Sequence, residues 1–356
     1  MSSGLIMSAA VVAVSAAIAV RLARSVALRR GLLDVPNSRS SHAQPVPRLG
    51  GAAFVPVVLL AAAVAGPGGT LPPLVAAVFF AGAALLFALS LIDDFTALTA
   101  GVRLAAHAAV AAGVLGAIYA SWPAGAGSGW HGLSPPSPGF WLLAIGVVGL
   151  LNLYNFMDGI DGLAGVQGVV AGAAWCAIGS AAGSPWSACL GAMLAAGAIG
   201  FLTLNWPPAK IFMGDAGSTV LGFSFAALPL LAVVERGSVL RFDAALAAGA
   251  LVVWPFWADG TFTILRRMKH GENILQAHRS HLYQRLVITG VSHARVTLVY
   301  GGLAAVGAAL AWFVAGGAAN AGVAALGFVV VAFVALWRWT VRRETLLAGV
   351  ARSARG

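Results

Sequence analysis

Residues 142–179 read LLAIGVVGLLNLYNFMDGIDGLAGVQGVVAGAAWCAIG, two apolar runs with Asp158 and Asp161 set between them, each acid followed by glycine. Runs of this kind approach the ~20 residues that a helix needs to cross the hydrocarbon core of a bilayer. An Asp at the bilayer centre costs about 2.5–3.5 kcal/mol on insertion scales, so acids near the hydrocarbon boundary call for a function or a partner. The stretch therefore predicts two helices that span a membrane and a polar site where they meet.

The rest of the chain has the same character. Of 356 residues, 60% are hydrophobic and 9% charged, whereas charge in soluble domains is nearer a quarter. Apolar runs recur near 4–22, 50–66, 70–92, 104–121, 139–154, 164–183, 186–204, 216–234, 243–262, 294–314 and 320–337. The expected fold is an all-α polytopic membrane helix bundle of about eleven transmembrane helices. It forms one transmembrane domain over 1–337, followed by a basic tail over 338–356. The tail reads as an interfacial helix or as a topogenic anchor.

Charge sets the orientation. The first run has no basic residue before it and Arg21, Arg24, Arg29 and Arg30 after it, the reverse of a cleaved secretory signal. It is expected to stay as a helix with its N-terminus outside. Eleven crossings then leave the C-terminus inside. Of the 21 Lys and Arg, only Arg236 and Arg241 fall outside, in line with the positive-inside rule. The inner segments are 23–49, 93–103, 152–165, 205–218 and 259–293. The net charge of +10 is thus explained by topology, with an attraction for anionic headgroups, and calls for no nucleic acid. Cys176 and Cys189 fall in apolar runs and read as buried small hydrophobes. The Gly-rich segment AGAGSGWHG (124–132) lacks the setting of a nucleotide loop and reads as an outer connector.

The acids are not scattered. Five of the eleven lie in LIDDF (91–95), NFMDGIDGL (155–163) and KIFMGDAGS (210–218), and Asp259 lies in WPFWADGTF (254–262), all at inner helix ends. Converging carboxylates repel one another and would take up protons unless Arg, Lys or a divalent cation offsets them. Mg²⁺ suits oxygen ligands and commonly takes one or two carboxylates together with a substrate's phosphates. The pattern points to a metal-diphosphate site at the membrane surface.

Each segment also has a plainer reading. Asp93 and Asp94 could simply end a helix, although two acids there oppose the macrodipole. Asp215 could be an N-cap, yet Gly214 and Gly217 beside it would let phosphate approach the backbone. Asn152, Asn155 and Asn205 could be helix-end hydrogen-bonders. Ser40, Ser41 and His42 carry little weight as a hydrolase triad, and His107 and His131 read as structural. His270, His278, His281 and His293 share a loop with Arg266, Arg267, Lys269, Arg279 and Arg285. That loop is either a solvated basic face or a phosphate-binding one.

Taken in order, six segments resemble the polyprenyl-phosphate N-acetylhexosamine-1-phosphate transferases of bacterial envelopes, in glycosyltransferase family 4. They are DVPNSRSSHAQPVPRLGG (34–51), DDF (93–95), NLYNFMDGIDGLAG (152–165), NWPPAKIFMGDAGS (205–218), DGTFTILRRMKHGENIL (259–275) and HRSHLYQRL (278–286). The family includes the MurNAc-pentapeptide and GlcNAc-1-phosphate enzymes.

The resemblance implies a reaction in the inner membrane, with the site on the cytosolic face. Undecaprenyl phosphate would attack the β-phosphorus of a UDP-N-acetyl sugar, releasing UMP and starting a lipid-linked envelope glycan. Such transfer needs mainly positioning and charge neutralisation, here with Mg²⁺, for which Mn²⁺ could substitute. A homodimer is compatible with it. Carried over by position, Asp215 is the metal ligand and Phe212 the ring that stacks on uracil. Asn155, Asp158, Gly159, Asp161 and Asn205 line the uridine and metal pocket. Asp93 and Asp94 lie near the metal and the acceptor phosphate, the split between base and ligand staying open. His281 would hold a phosphate oxygen, and Arg48 and Arg279 would contact the diphosphate or acceptor.

Two departures are visible. Tyr283 and Gln284 stand where many members carry further histidines, and the basic residue usual after the aspartate pair is displaced to Arg103. The first resembles the O-antigen and capsule-initiating subset more than the peptidoglycan enzyme. Donors there are often 6-deoxy sugars such as FucNAc or QuiNAc. A transporter would instead place ionisable residues near the bilayer midplane, and a scaffold would leave the clustering of acids unexplained.

Overall fold

The computed structural model describes residues 3–36, 44–96, 98–122, 137–273 and 278–353. Ser40, Ser41, His42, His131, the 124–132 connector and the last two residues of the 259–275 segment lie outside them. Helices α1 (Ser3–Arg30), α2 (Gly50–Ala65), α3 (Pro73–Thr96), α4 (Ala100–Ser121), α5 (Pro138–Met157), α6 (Leu163–Ala181) and α7 (Pro185–Asn205) make the first part. Then come α8 (Asp215–Val234), α9 (Phe242–Val252), α10 (Trp254–Lys269), α11 (Leu282–Ile288), α12 (His293–Ala315) and α13 (Ala321–Ser353). A two-residue antiparallel pair, β1 (Leu33–Asp34) and β2 (Val46–Pro47), joins α1 to α2. The protein is a multi-pass membrane bundle.

Among the described residues nine helices are long and apolar enough to cross a membrane. The other two expected spans take a different form. The run at 50–66 becomes the 16-residue α2. The run at 243–262 is broken at Val253, where α9 and α10 meet at 76°. Pro255, in the first turn of α10, has no N–H to continue the hydrogen-bond ladder of the preceding helix. The tail is likewise not separate, because α13 continues through it to Ser353.

Helix α8 is the axis of the bundle. Its residues from Ala216 to Leu231 are all buried, as expected of a helix apolar on every side. Helices α2, α3, α5 and α9 pack around it, and α6 and α7 pair beside it. Local starts follow from sequence: Thr99 and Ser292 accept from Val102 and Arg295 N–H at 3.4 Å as N-caps of α4 and α12. The alternating directions bring the C-terminal ends of α3, α5 and α7 to the N-terminal ends of α4, α6 and α8. The predicted acids gather at that end.

Candidate functional site

The site is built around the first turn of α8. Asp94, at the end of α3, accepts from the N–H groups of Asp215 (3.1 Å) and Ala216 (3.4 Å). Its carboxylate thereby meets donors that a helix start leaves unsatisfied, on the positive end of the axial helix. Gly214 is required at this corner. It has φ 73°, and a Cβ there would lie 2.9 Å from Asp94 Oδ2. Asn155, on the last turn of α5, donates to Asp215 Oδ1 (3.1 Å) and to Ser218 Oγ (2.9 Å). Three helices therefore meet on Asp215.

Asp93 and Arg103 complete this corner. Asp93 is buried and accepts from Leu98 N–H (2.5 Å) and from Arg103 Nη1 (2.7 Å). The same Arg103 Nη1 lies 3.9 Å from Asp215 Oδ2. The basic residue displaced in sequence is thus returned to the acids by the first turn of α4, and Asp93 serves chiefly to hold it.

Asp158 and Asp161 part company. The half-buried Asp158 carboxylate has no hydrogen-bond partner among the described residues. Burial, then the charges of Asp215, Asp94 and Asp161, push its pKa up to about 8. Asp161 is instead tied down: Oδ2 accepts from Ala209 N–H (3.0 Å), and Oδ1 lies 3.2 Å from His293 Nδ1. Between them Gly159 passes under Tyr283, whose hydroxyl occupies the space a Cβ would need. That hydroxyl donates to Phe156 O at 2.9 Å.

Asn205 is buried and works as a clamp. Its Oδ1 accepts from Gly162 N–H (2.9 Å) and its Nδ2 donates to Ile211 O (2.8 Å). Phe212 is half-buried and forms an isolated bridge with Arg48, with Phe212 N–H donating to Pro47 O (2.8 Å) and Gly50 N–H to Phe212 O (2.9 Å). Arg48 pairs with Asp34 at 2.8 Å and is close enough to act electrostatically on Asp94 and Asp215.

His281 lies on a neighbouring wall. It precedes α11, whose Leu282 and Tyr283 N–H groups donate to Asp259 Oδ1 (2.9 Å) and Oδ2 (3.2 Å). Tyr300 and Thr263 hydroxyls donate to the same fully buried carboxylate at 2.6 and 3.2 Å. The His281 Nδ1 lies 3.4 Å from Asp259 Oδ1, and its ring stacks on Tyr283 at 5.6 Å. His278, 5.1 Å from the His281 ring, has its pKa lowered to about 4, by burial first and then by the charges of His281, Arg267 and Arg266. Arg279 forms no ion pair among the described residues, and its Nε is buried without a hydrogen-bond partner.

The structure thus gathers Asp93, Asp94, Asn155, Asp158 and Asp215 at one corner, with Arg48 and Phe212 beside it. It sets Asp161 and Asn205 in the framework and places His281 and Arg279 on the α10–α11 wall. Arg103, Ser218, Asp259 and His293 join them without having been assigned a role from sequence. For Arg103 the displaced position was the available sign, and for Asp259 its place near the acid-bearing helix ends. Among the described residues no three acids, cysteines or histidines form a ready metal cage.

The model for glycosyl transferase family 4 matches residues 76–233, from α3 to the end of α8. A decaprenyl-phosphate N-acetylglucosaminephosphotransferase of Mycolicibacterium smegmatis is 33% identical over 350 residues, covering 88% of this chain and 84% of the relative. A putative glycosyltransferase of Streptomyces coelicolor is 32% identical, covering 85% and 71%. A probable undecaprenyl-phosphate N-acetylglucosaminyl 1-phosphate transferase of Bacillus subtilis is 40% identical over 110 residues, 31% of this chain and 30% of the relative. The matched part is under a third of that last protein. With acids on three helix ends meeting at α8 and the length of the match to the mycobacterial relative, this chain belongs to the polyprenyl-phosphate N-acetylhexosamine-1-phosphate transferase family.

Proposed function

We propose that the protein transfers a sugar-1-phosphate from a UDP-N-acetylhexosamine to undecaprenyl phosphate. An oxygen of the acceptor phosphate attacks the β-phosphorus, the anhydride P–O bond breaks, and UMP leaves with the bonding electrons. The observation that carries this reading is the meeting of Asp94, Asn155 and Asp215 on the first turn of α8, with the Asp158 carboxylate unpaired nearby.

The donor set fits Mg²⁺, or Mn²⁺ in its place. It is all oxygen, carries more negative charge than Arg48 and Arg103 offset, and includes the unpartnered Asp158 carboxylate. Asp215 and Asp94 are the ligands we assign. The absence of a closed cage suits an ion that shares its shell with phosphates and water. When bound, the cation would neutralise the diphosphate and the leaving UMP.

The remaining roles belong to the chain itself. Arg103 holds Asp93 and faces Asp215, keeping the corner in register and lending positive charge to the phosphates. The half-buried Phe212 ring is assigned to uracil, and Arg48, bridged to it through the backbone, to the diphosphate. The acceptor phosphate is already largely ionised near neutral pH, so no strong base is required of Asp93 or Asp158. Asp161 and Asn205 shape the pocket from behind, and His281 and Arg279 approach phosphate oxygens from the α10–α11 wall. One copy of the chain supplies every residue in this scheme, so a homodimer adds none.

We place the site on the cytosolic face of a bacterial inner membrane, on the strength of the basic residues crowded at that end. The names of the relatives favour N-acetylglucosamine as the sugar. The Tyr283 and Gln284 positions favour a 6-deoxy sugar such as FucNAc or QuiNAc, and with it an O-antigen or capsule product. The test is UMP release by the purified protein with undecaprenyl phosphate, Mg²⁺ and a panel of UDP-sugars, with mass spectrometry of the lipid. UMP and a matching lipid diphosphate sugar are expected from at least one N-acetylhexosamine donor. Silence across the panel would remove the reading in favour of transport or scaffolding.

A further inference from the structure

Helix α11 has seven residues, too few to be stable on its own, yet it carries His281 at its start. Its N-terminal half is fixed by Asp259 and by the Tyr283 hydroxyl. Its C-terminal half is fixed from another direction. Arg285 Nε and Nη2 donate to Glu344 Oε1 and Oε2 at 2.8 and 2.6 Å, a two-pronged pair on the far end of α13. One residue earlier on α13, Arg343 Nη2 donates to the buried Thr289 O at 2.8 Å, just past the end of α11.

These contacts are not a loose surface pair. The Arg285 side chain is only 13% exposed, and a bidentate Arg–carboxylate fork fixes orientation as well as distance. The face of α13 that reaches them is continuous. Val329, Leu336 and Thr340 are buried at spacings of seven and four residues, and Arg343 and Glu344 extend the same stripe. Arg338 and Arg342, on the other face, are exposed. The basic character of this segment is explained by topology, but Glu344, its one acid, is not. An acid on the inner side of a membrane helix does nothing for orientation, and here it faces α11.

We propose that Glu344 and Arg343 are positioning residues: the end of α13 clasps α11 and so sets where His281 stands. The inference rests on the assignment of His281 to the reaction. Arg285 is the hinge of the clasp, gripped by Glu344, while Arg343 holds the carbonyl behind it. Loss of the fork leaves the C-terminal end of α11 held by the Arg343 contact to Thr289 O alone, and His281 loses its fixed distance to the acid corner. Misplacement on the ångström scale is enough to slow a transfer that depends on alignment.

The test compares the parent, Glu344→Ala and the exchange Arg285→Glu with Glu344→Arg. UMP-release kinetics are read beside hydrogen exchange of the backbone amides at 282–289. For Glu344→Ala we expect kcat to fall roughly tenfold with KM for both substrates within about twofold. Exchange should quicken in 282–289 alone. The reversed pair should restore both readouts. If Glu344→Ala leaves kcat and local exchange at parental values, the clasp is refuted. It is equally refuted if activity falls together with faster exchange throughout the bundle and the reversed pair rescues nothing, which is a general loss of stability. If the parent releases no UMP, the reaction assignment fails and exchange alone decides the clasp: local quickening supports it and none rejects it.

Discussion

Asp215 and Phe212 lie three residues apart and do different work, which makes them separable by kinetics. Asp215 receives Asn155 and faces Arg103, so Asp215→Asn keeps the shape and removes the charge. We expect turnover to fall at least about 100-fold, as for loss of a group central to a metal site, with the melting temperature little changed. UMP release near the parental rate would refute the ligand role. Phe212 is instead assigned as an aromatic ring for the base. Phe212→Ala should raise the donor KM roughly tenfold, since base stacking contributes about 1–3 kcal/mol, and leave saturated turnover near the parent. An unchanged KM would make Phe212 a packing residue. Both positions could be singled out from sequence because they stand in a segment whose types and order are distinctive. Arg103 was legible only as an irregularity, since its return to Asp93 depends on how α3 and α4 fold back on one another.

At the scale of elements, the question is whether a polar residue belongs to the ligand or to the frame. Asn205 ties the end of α7 to the start of α6 and to Ile211, with both amide ends bonded to backbone. Removing it strands a buried N–H and a buried C=O, at a cost of about 1–3 kcal/mol for each such group. Asn205→Ala should therefore lower the melting temperature by several degrees while the donor KM stays near the parent. A large rise in KM without a thermal shift would return Asn205 to the uridine pocket. Its frame role was hidden in sequence, where Asn at a helix end fits either reading. The apolar runs gave α1 and α3 to α8 clearly because the length of a span is fixed by the bilayer, whereas the 50–66 run became the 16-residue α2. The break at Val253 was signalled only by Pro255 inside a run long enough to pass as one span. The short α11 was illegible, since seven residues hold too few turns for a period to show.

For the whole molecule the decisive property is which way the bundle faces. The acid corner lies at one end, and the opposite end carries Glu235, buried and receiving the Trp186 and Ser187 N–H groups at the start of α7. Lys210 and Arg236 are exposed at these two ends, and Cys176 and Cys189 are both buried, so single cysteines can report on each end separately. By the sequence reading, nineteen of the 21 basic residues are expected on the corner's side, a bias that sets orientation because Lys and Arg near span ends are retained on the cytoplasmic side. A UDP-sugar is a charged donor and must meet its site on that side, whereas the polyprenyl phosphate can arrive through the bilayer. In intact cells a membrane-impermeant maleimide should label Arg236→Cys and spare Lys210→Cys until the membrane is opened. The reverse pattern would place the acid corner outside, out of reach of any cytosolic nucleotide donor, and the proposed reaction would fail on access alone, whatever the geometry at α8.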